Sequence, residues 1–158
     1  MSVLFDQIVF APIKSRRFGE SLGINLLPLE SKICNFNCIY CEFSWTDLKA
    51  NSAPYFSKET ILVDIKNCFK ALSADNIKID SITFDGNGEP TRHPHFSTII
   101  DEVIVLRNQY FPGIKMVVLS NSNLLSNKKV LSALQKVDLR ILKLDAGTQD
   151  TFEKMNKS

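Results

Sequence analysis

Cys34-Asn35-Phe36-Asn37-Cys38-Ile39-Tyr40-Cys41 sets three thiols within eight residues, at CxxxCxxC spacing. Thiolates are soft ligands that select zinc, copper(I) or iron–sulfur clusters. A structural zinc ion takes four protein ligands and is saturated by them. Three cysteines without a fourth nearby can instead hold three irons of a [4Fe–4S] cube and leave the fourth iron open to a substrate. The whole chain holds four cysteines, so chance is a poor account of three in one loop. The alternative is a zinc-stabilised RNA- or protein-binding module in which His93 or His95 completes the set. Those histidines flank Pro94 just ahead of an apolar run and read more simply as the opening of a helix. Cys68 falls among Ile61, Ile65 and Leu72 at helical spacing and reads as a small core residue.

The chain that carries this loop has 158 residues, 19 basic and 17 acidic, for a net charge of +2. The length suits one domain, 1–158, able to bury about 70% of the surface of its unfolded chain. With 44% hydrophobic residues and six each of Gly and Pro, disordered, collagen-like and linker classes are excluded. So small a charge excludes a general polyanion binder and leaves room only for a local basic patch. No apolar run approaches the roughly 20 residues of a membrane-spanning helix. Met1-Ser2-Val3-Leu4-Phe5-Asp6 lacks the basic start and apolar core of a secretory signal. A cytoplasmic location is expected, where cysteines bind metal or react more readily than they form disulfides.

The elements that position the loop alternate. Gly23 to Pro28 reads as a first strand, followed by the cysteine loop and a polar stretch from Ser44 to Ser57. Ser57 suits the N-cap of a helix with Ile61, Leu62, Ile65, Cys68, Phe69 and Leu72 on one face. Ile79 to Phe84 predicts a second strand, ending in Asp85-Gly86-Asn87-Gly88-Glu89-Pro90. Phe96, Ile99, Ile100, Val103, Leu106 and Tyr110 mark a second helix, and Met116 to Leu119 a buried third strand. Leu131, Leu134 and Val137 mark a third helix, and Leu139 to Leu144 a fourth strand. Asp145 to Thr148 then turns toward a helix that barely begins. Strand, loop and helix in repetition predict an α/β fold with about four parallel strands, near-continuously apolar and buried on both faces. Right-handed crossovers gather the strand-to-helix loops at one end of the sheet, where such folds bind ligands. Four strands make an open half-barrel with an unpaired apolar edge, as expected of the front portion of a longer protein.

The cysteine spacing, with Tyr40 just before the last cysteine, resembles the signature of radical S-adenosylmethionine (SAM) enzymes. Asp85 to Pro90 is similar to that family's Gly-Gly-Glu segment, with Asn87 where the first glycine of the pair is usual. Ser120-Asn121-Ser122 resembles its ribose-contact segment, and Lys143 and Asp145 end a strand where polar SAM contacts are common. Pro12 to Gly19 and Ser21 to Asn25 are similar to iron–sulfur oxidoreductases related to tRNA wyosine-synthesis enzymes. The resemblance implies a partial (β/α) barrel of six strand–helix units, of which this chain supplies the first four. It implies a [4Fe–4S] cluster on Cys34, Cys38 and Cys41, and SAM bound near Tyr40, Gly88, Glu89, Ser120, Asn121, Ser122 and Lys143. Reductive cleavage of SAM to methionine and a 5′-deoxyadenosyl radical is the implied reaction. The implied partners are an electron donor such as flavodoxin or ferredoxin and a substrate in which a tRNA base figures.

Weaker signals have simpler readings. Gly86-x-Gly88 fails as a dinucleotide fingerprint, because Thr91 stands where the last glycine belongs. Glu89, Asp85 and Asp145 suit acid or base groups at the rim, or solvated, helix-capping or Lys143-paired carboxylates; Glu89 reads as functional and Asp85 suits either role equally. Lys14, Arg16 and Arg17 suit a solvated face or a phosphate contact, and Phe43 and Trp45 suit packing on the cysteine loop.

Overall fold

A computed structural model describes residues 4–43, 45 and 54–157. Met1 to Val3, most of the polar stretch read from Ser44 to Ser57, and Ser158 lie outside the described residues. The strands are β1 (Val9–Ser15), β2 (Gly19–Asn25), β3 (Ser81–Asp85), β4 (Lys115–Ser120) and β5 (Leu139–Leu142). The helices are α1 (Lys58–Ala74), α2 (Phe96–Tyr110), α3 (Lys128–Lys136) and α4 (Gln149–Asn156). The strands form one sheet in the order β1-β2-β3-β4-β5. Pairing from β2 through β5 is parallel, and β1 joins β2 antiparallel. This is the α/β, partial β/α-barrel architecture that the alternation predicts, and it is not closed.

Each crossover helix forms for a legible reason. Ser57 accepts a hydrogen bond from the Thr60 N–H at 3.0 Å and caps α1, which buries Ile61, Ile65 and Phe69. His95 stands at the N-cap of α2, as the simpler reading of that histidine expects, and α2 buries Phe96, Ile99, Ile100 and Val103. On α3 the buried face is Val130, Ala133 and Leu134. Leu131, expected inside, is 42% exposed, because the inward stripe lies one residue away on the short helix. Leu22, Ile24, Ile82, Phe84, Met116 and Val118 meet α1, α2 and α3 in one core. Each such fully buried apolar side chain contributes roughly 1.5–3 kcal/mol. Cys68 is only half-buried, packed at the border of that core.

Two expectations need correction. The strands are not apolar on both faces: Ser21, Gly23 and Thr83 line the face away from the helices, and Ser21 Oγ lies 2.7 Å from Thr83 Oγ1. Strand side chains alternate, so this second face is a concave wall free to carry polar groups. Among the described residues the four expected parallel strands are β2 to β5, and a fifth, β1, adds antiparallel to β2 with a register shift between Phe10 and Ile13. The first predicted strand accordingly starts earlier, at Gly19. The last helix is also a full eight residues, with Thr148 accepting from the Thr151 N–H at its N-cap.

Candidate metal centre and cofactor cleft

The cysteine loop is docked on the carboxyl end of β3. Ile33 forms a single parallel bridge with Gly88, donating to the Asn87 carbonyl at 2.8 Å and accepting from the Glu89 N–H at 2.9 Å. Gly88 has φ of +132°, and a Cβ there would stand 2.0 Å from the Ile33 carbonyl oxygen. Only glycine permits both the backbone and the contact. Asn87 needs no such freedom, and its fully buried side chain is turned away from the cysteines. It donates to the carbonyls of Phe5 and Pro28 at 2.9 Å each and accepts from the Phe5 N–H at 2.8 Å. The departure from the glycine pair therefore ties the start of the chain to this loop.

Beyond Cys34 the loop is held by α4. The last carbonyls of a helix lack intrahelical partners, and here the loop supplies them. The N–H groups of Asn37 and Ile39 donate at 2.9 Å to Asn156 and Met155 respectively. Asn156 is fully buried; its Oδ1 accepts from the Cys38 thiol at 3.0 Å and lies 3.1 Å from the Tyr40 hydroxyl. Phe36 meets Phe152 edge-on, with ring centroids 5.2 Å apart. Nothing in the sequence reading singled out Asn156, because a contact 118 residues from Cys38 leaves no local signature.

Tyr40 and Lys143, both expected to contact SAM, also engage each other. The Lys143 ammonium lies 4.1 Å from the Tyr40 ring centroid and 3.9 Å from the Asp145 carboxylate. Tyr40 donates to Asp145, and burial together with that bond pushes its hydroxyl pKa well above the usual phenol range. Asp145 is thus paired with Lys143, one of the simple roles considered for it.

Glu89 is 2% exposed and joins two strand ends. Its Oε1 accepts from the Thr91 N–H and hydroxyl at 3.2 and 2.5 Å and from the Ser120 hydroxyl at 2.9 Å. Among the described residues its Oε2 accepts from the Asn121 N–H alone, at 2.6 Å, which leaves that oxygen a lone pair free of them. Ser120 Oγ in turn accepts from the Ser122 N–H at 3.1 Å, so this hydroxyl is fully engaged within the protein. Asn121 Nδ2 donates to the Cys34 sulfur at 3.6 Å. Ser122, with φ of +70°, reaches the Lys143 carbonyl at 3.3 Å.

Cys34, Cys38 and Cys41 line one cleft of about 830 Å³ together with Gly88, Glu89, Ser120, Asn121, Tyr40 and Lys143. Ser122 stands just outside this lining. Burial pushes the Cys34 thiol pKa up, opposed by the Phe36 N–H and the Lys32 charge. Asp85 also lines the cleft, and burial raises its carboxyl pKa. Phe43 lines it too, 6.0 Å from the Phe5 ring. Trp45 is 61% exposed, with the Lys157 ammonium 4.5 Å from its ring.

Among the described residues, no three His, Cys, Asp or Glu side chains converge tightly enough to hold a single metal ion. The zinc alternative gains nothing from His93 either. His93 Nδ1 accepts from the His95 N–H at 3.1 Å, and Nε2 lies 3.1 Å from the Phe56 carbonyl, so both ring nitrogens are engaged. A cubane cluster seats each thiolate on a different iron, so its ligands stand farther apart than those of one ion. Three thiols facing one cleft, with Cys68 lining a separate cavity beside α1, fit that donor set.

Residues 31–157 match the family model described as the Radical SAM superfamily. The chain is similar to a UPF0026 protein of Helicobacter pylori, 37% identical over 150 residues, covering 95% of this chain and 46% of the relative. A UPF0026 protein of Methanocaldococcus jannaschii is 32% identical, over 95% of this chain and 44% of its own length. A Brachyspira hyodysenteriae protein named GTPase Obg is 37% identical, over 96% of this chain and 21% of its own. The chain spans about half the length of the UPF0026 relatives it matches, 46% and 44%.

Proposed function

The chain belongs to the radical SAM superfamily, and we propose that Cys34, Cys38 and Cys41 hold three irons of a [4Fe–4S] cluster whose fourth iron takes SAM. The observation that carries this is that Cys34, Cys38 and Cys41 line one cleft together with Glu89, Asn121 and Lys143. When bound, the cluster supplies an electron that cleaves the sulfonium of SAM to methionine and a 5′-deoxyadenosyl radical, which abstracts hydrogen from a substrate.

The protein's own residues position and insulate. Gly88 lets the cysteine loop approach β3. The free lone pair of Glu89 Oε2 suits an ammonium group such as the amino group of SAM. Ser120 orients Glu89, while Asn121 and Ser122 line the path from the Cys34 sulfur to the end of β5. Tyr40 and Lys143 wall the cleft against water. In the whole protein, further strand–helix units pair with the edge of β5 and complete a six-stranded partial barrel. A tRNA base is the substrate class supported by the resemblance of the leading stretch, and Arg16 and Arg17, which line the cleft, suit its phosphates. A one-electron donor such as flavodoxin or ferredoxin and a cytoplasmic location belong to the same reading. No helix among the described residues is long and apolar enough to cross a membrane.

Oxygen-free reconstitution tests the proposal. The protein is expected to turn brown with about four irons per chain, and to release 5′-deoxyadenosine from SAM under strong reductant. Cys38→Ala is expected to abolish the colour and Cys68→Ala to leave it. Equal loss in both variants, or colourless protein carrying one zinc, overturns the assignment.

A further inference from the structure

Lys32 is 5% exposed and lines the cleft two residues before Cys34. Among the described residues its ammonium has neither an ion pair nor a hydrogen bond. Lys143, another cation lining the cleft, is differently placed: it is paired with Asp145 and stacked on Tyr40. Arg92 donates to the Cys34 backbone carbonyl at 3.2 Å. An ammonium held in a protein cleft calls for a counter-charge; Glu42, Asp85 and Glu89 also line this cleft, but none of them is within ion-pair distance of Lys32, which leaves the three cysteines and what they hold.

We propose that Lys32 is the charge-compensating residue of the cluster, and that its unpaired ammonium in the cleft raises the cluster's one-electron reduction potential. The inference rests on the cluster reading above. Reduction adds one electron from an added low-potential reductant, with no bond made or broken. A fixed positive charge in a poorly solvated cleft stabilises the more negative, reduced form more than the oxidised one. The cluster thereby becomes easier for a donor to reduce. Glu89 opposes the effect only weakly, because four hydrogen bonds already disperse its charge.

The test is a dye-mediated potentiometric titration of the reconstituted protein, followed by electron paramagnetic resonance. Lys32→Met keeps the aliphatic stem, Lys32→Gln guards against a packing defect peculiar to methionine, and Lys32→Arg keeps the charge. Both neutral variants are expected to load the wild-type iron content and to shift the midpoint to more negative potential, while Lys32→Arg stays near wild type. An unchanged midpoint in the neutral variants overturns the proposal. If those variants instead keep the midpoint but lose affinity for inorganic phosphate or for SAM, the ammonium serves an oxyanion and the proposal again falls. A wild-type protein that takes up no iron refutes the cluster reading itself, which is a separate outcome.

Discussion

Gly88 and Glu89 are where one side chain, or its absence, decides the geometry. Gly88→Ala adds a strained positive-φ residue and a Cβ 2.0 Å from the Ile33 carbonyl, a destabilisation on the order of 3 kcal/mol. Urea unfolding is expected to show that loss together with lower iron retention, because the Ile33 bridge sets the start of the cysteine loop. His93 offers a different test. Burial lowers its pKa below the ordinary 6.5, so the unfolded chain takes up a proton first as the pH falls. Stability is therefore complete above about pH 6.5 and declines as pH drops toward the folded-state value. His93→Gln is expected to flatten that decline in urea midpoints measured across the range. Asp85 runs the other way: its raised pKa favours the folded state at low pH, so the single variant separates the two. That the three cysteines and Glu89 share one cleft agrees with the sequence, where the cysteines stand out by their spacing and Glu89 by the family resemblance. The turn of Asn87 away from the cleft was not legible there, since its partners Phe5 and Pro28 are distant along the chain.

At the scale of elements, the clamp between α4 and the cysteine loop is the feature to probe. Asn156→Ala removes the acceptor for the Cys38 thiol and the neighbour of the Tyr40 hydroxyl. Leaving buried donors unmet costs about 1–3 kcal/mol. The sheet and α1 to α3 do not depend on Asn156, so the variant is expected to keep its far-ultraviolet circular dichroism while losing iron faster to a chelator. The helices were largely legible because 3.6-residue periodicity survives in amphipathic segments such as α1 and α2. Strand β1 was not, because Pro12 within Val9–Ser15 argues against a strand. The fold accommodates it where the register shifts between Phe10 and Ile13. The extent of α4 was missed too, since its sequence holds few apolar residues and its packing is on the cysteine loop.

For the molecule as a whole, the sheet is asymmetric. The helices bury one face, the concave face carries the cleft, and β5 is an edge with Ile141 and Leu142 36% and 41% exposed. Leu144, just past it, is 91% exposed. An apolar strand edge invites pairing with another chain. This chain is expected to self-associate with rising concentration, and Leu142→Lys to weaken that association in sedimentation velocity. A variant that associates as strongly as wild type would place the contact elsewhere.

The sequence by itself determined the clustering of three thiols in one loop, the family likeness, and the alternation of strands and helices. These depend on residue type and short-range periodicity, which are local properties of the chain. Only the tertiary structure decided that Asn156 holds Cys38, that Lys143 is paired with Asp145, and that Lys32 is buried without a partner. Burial and pairing depend on which distant segments meet, and that is settled by packing the whole sheet and its helices together.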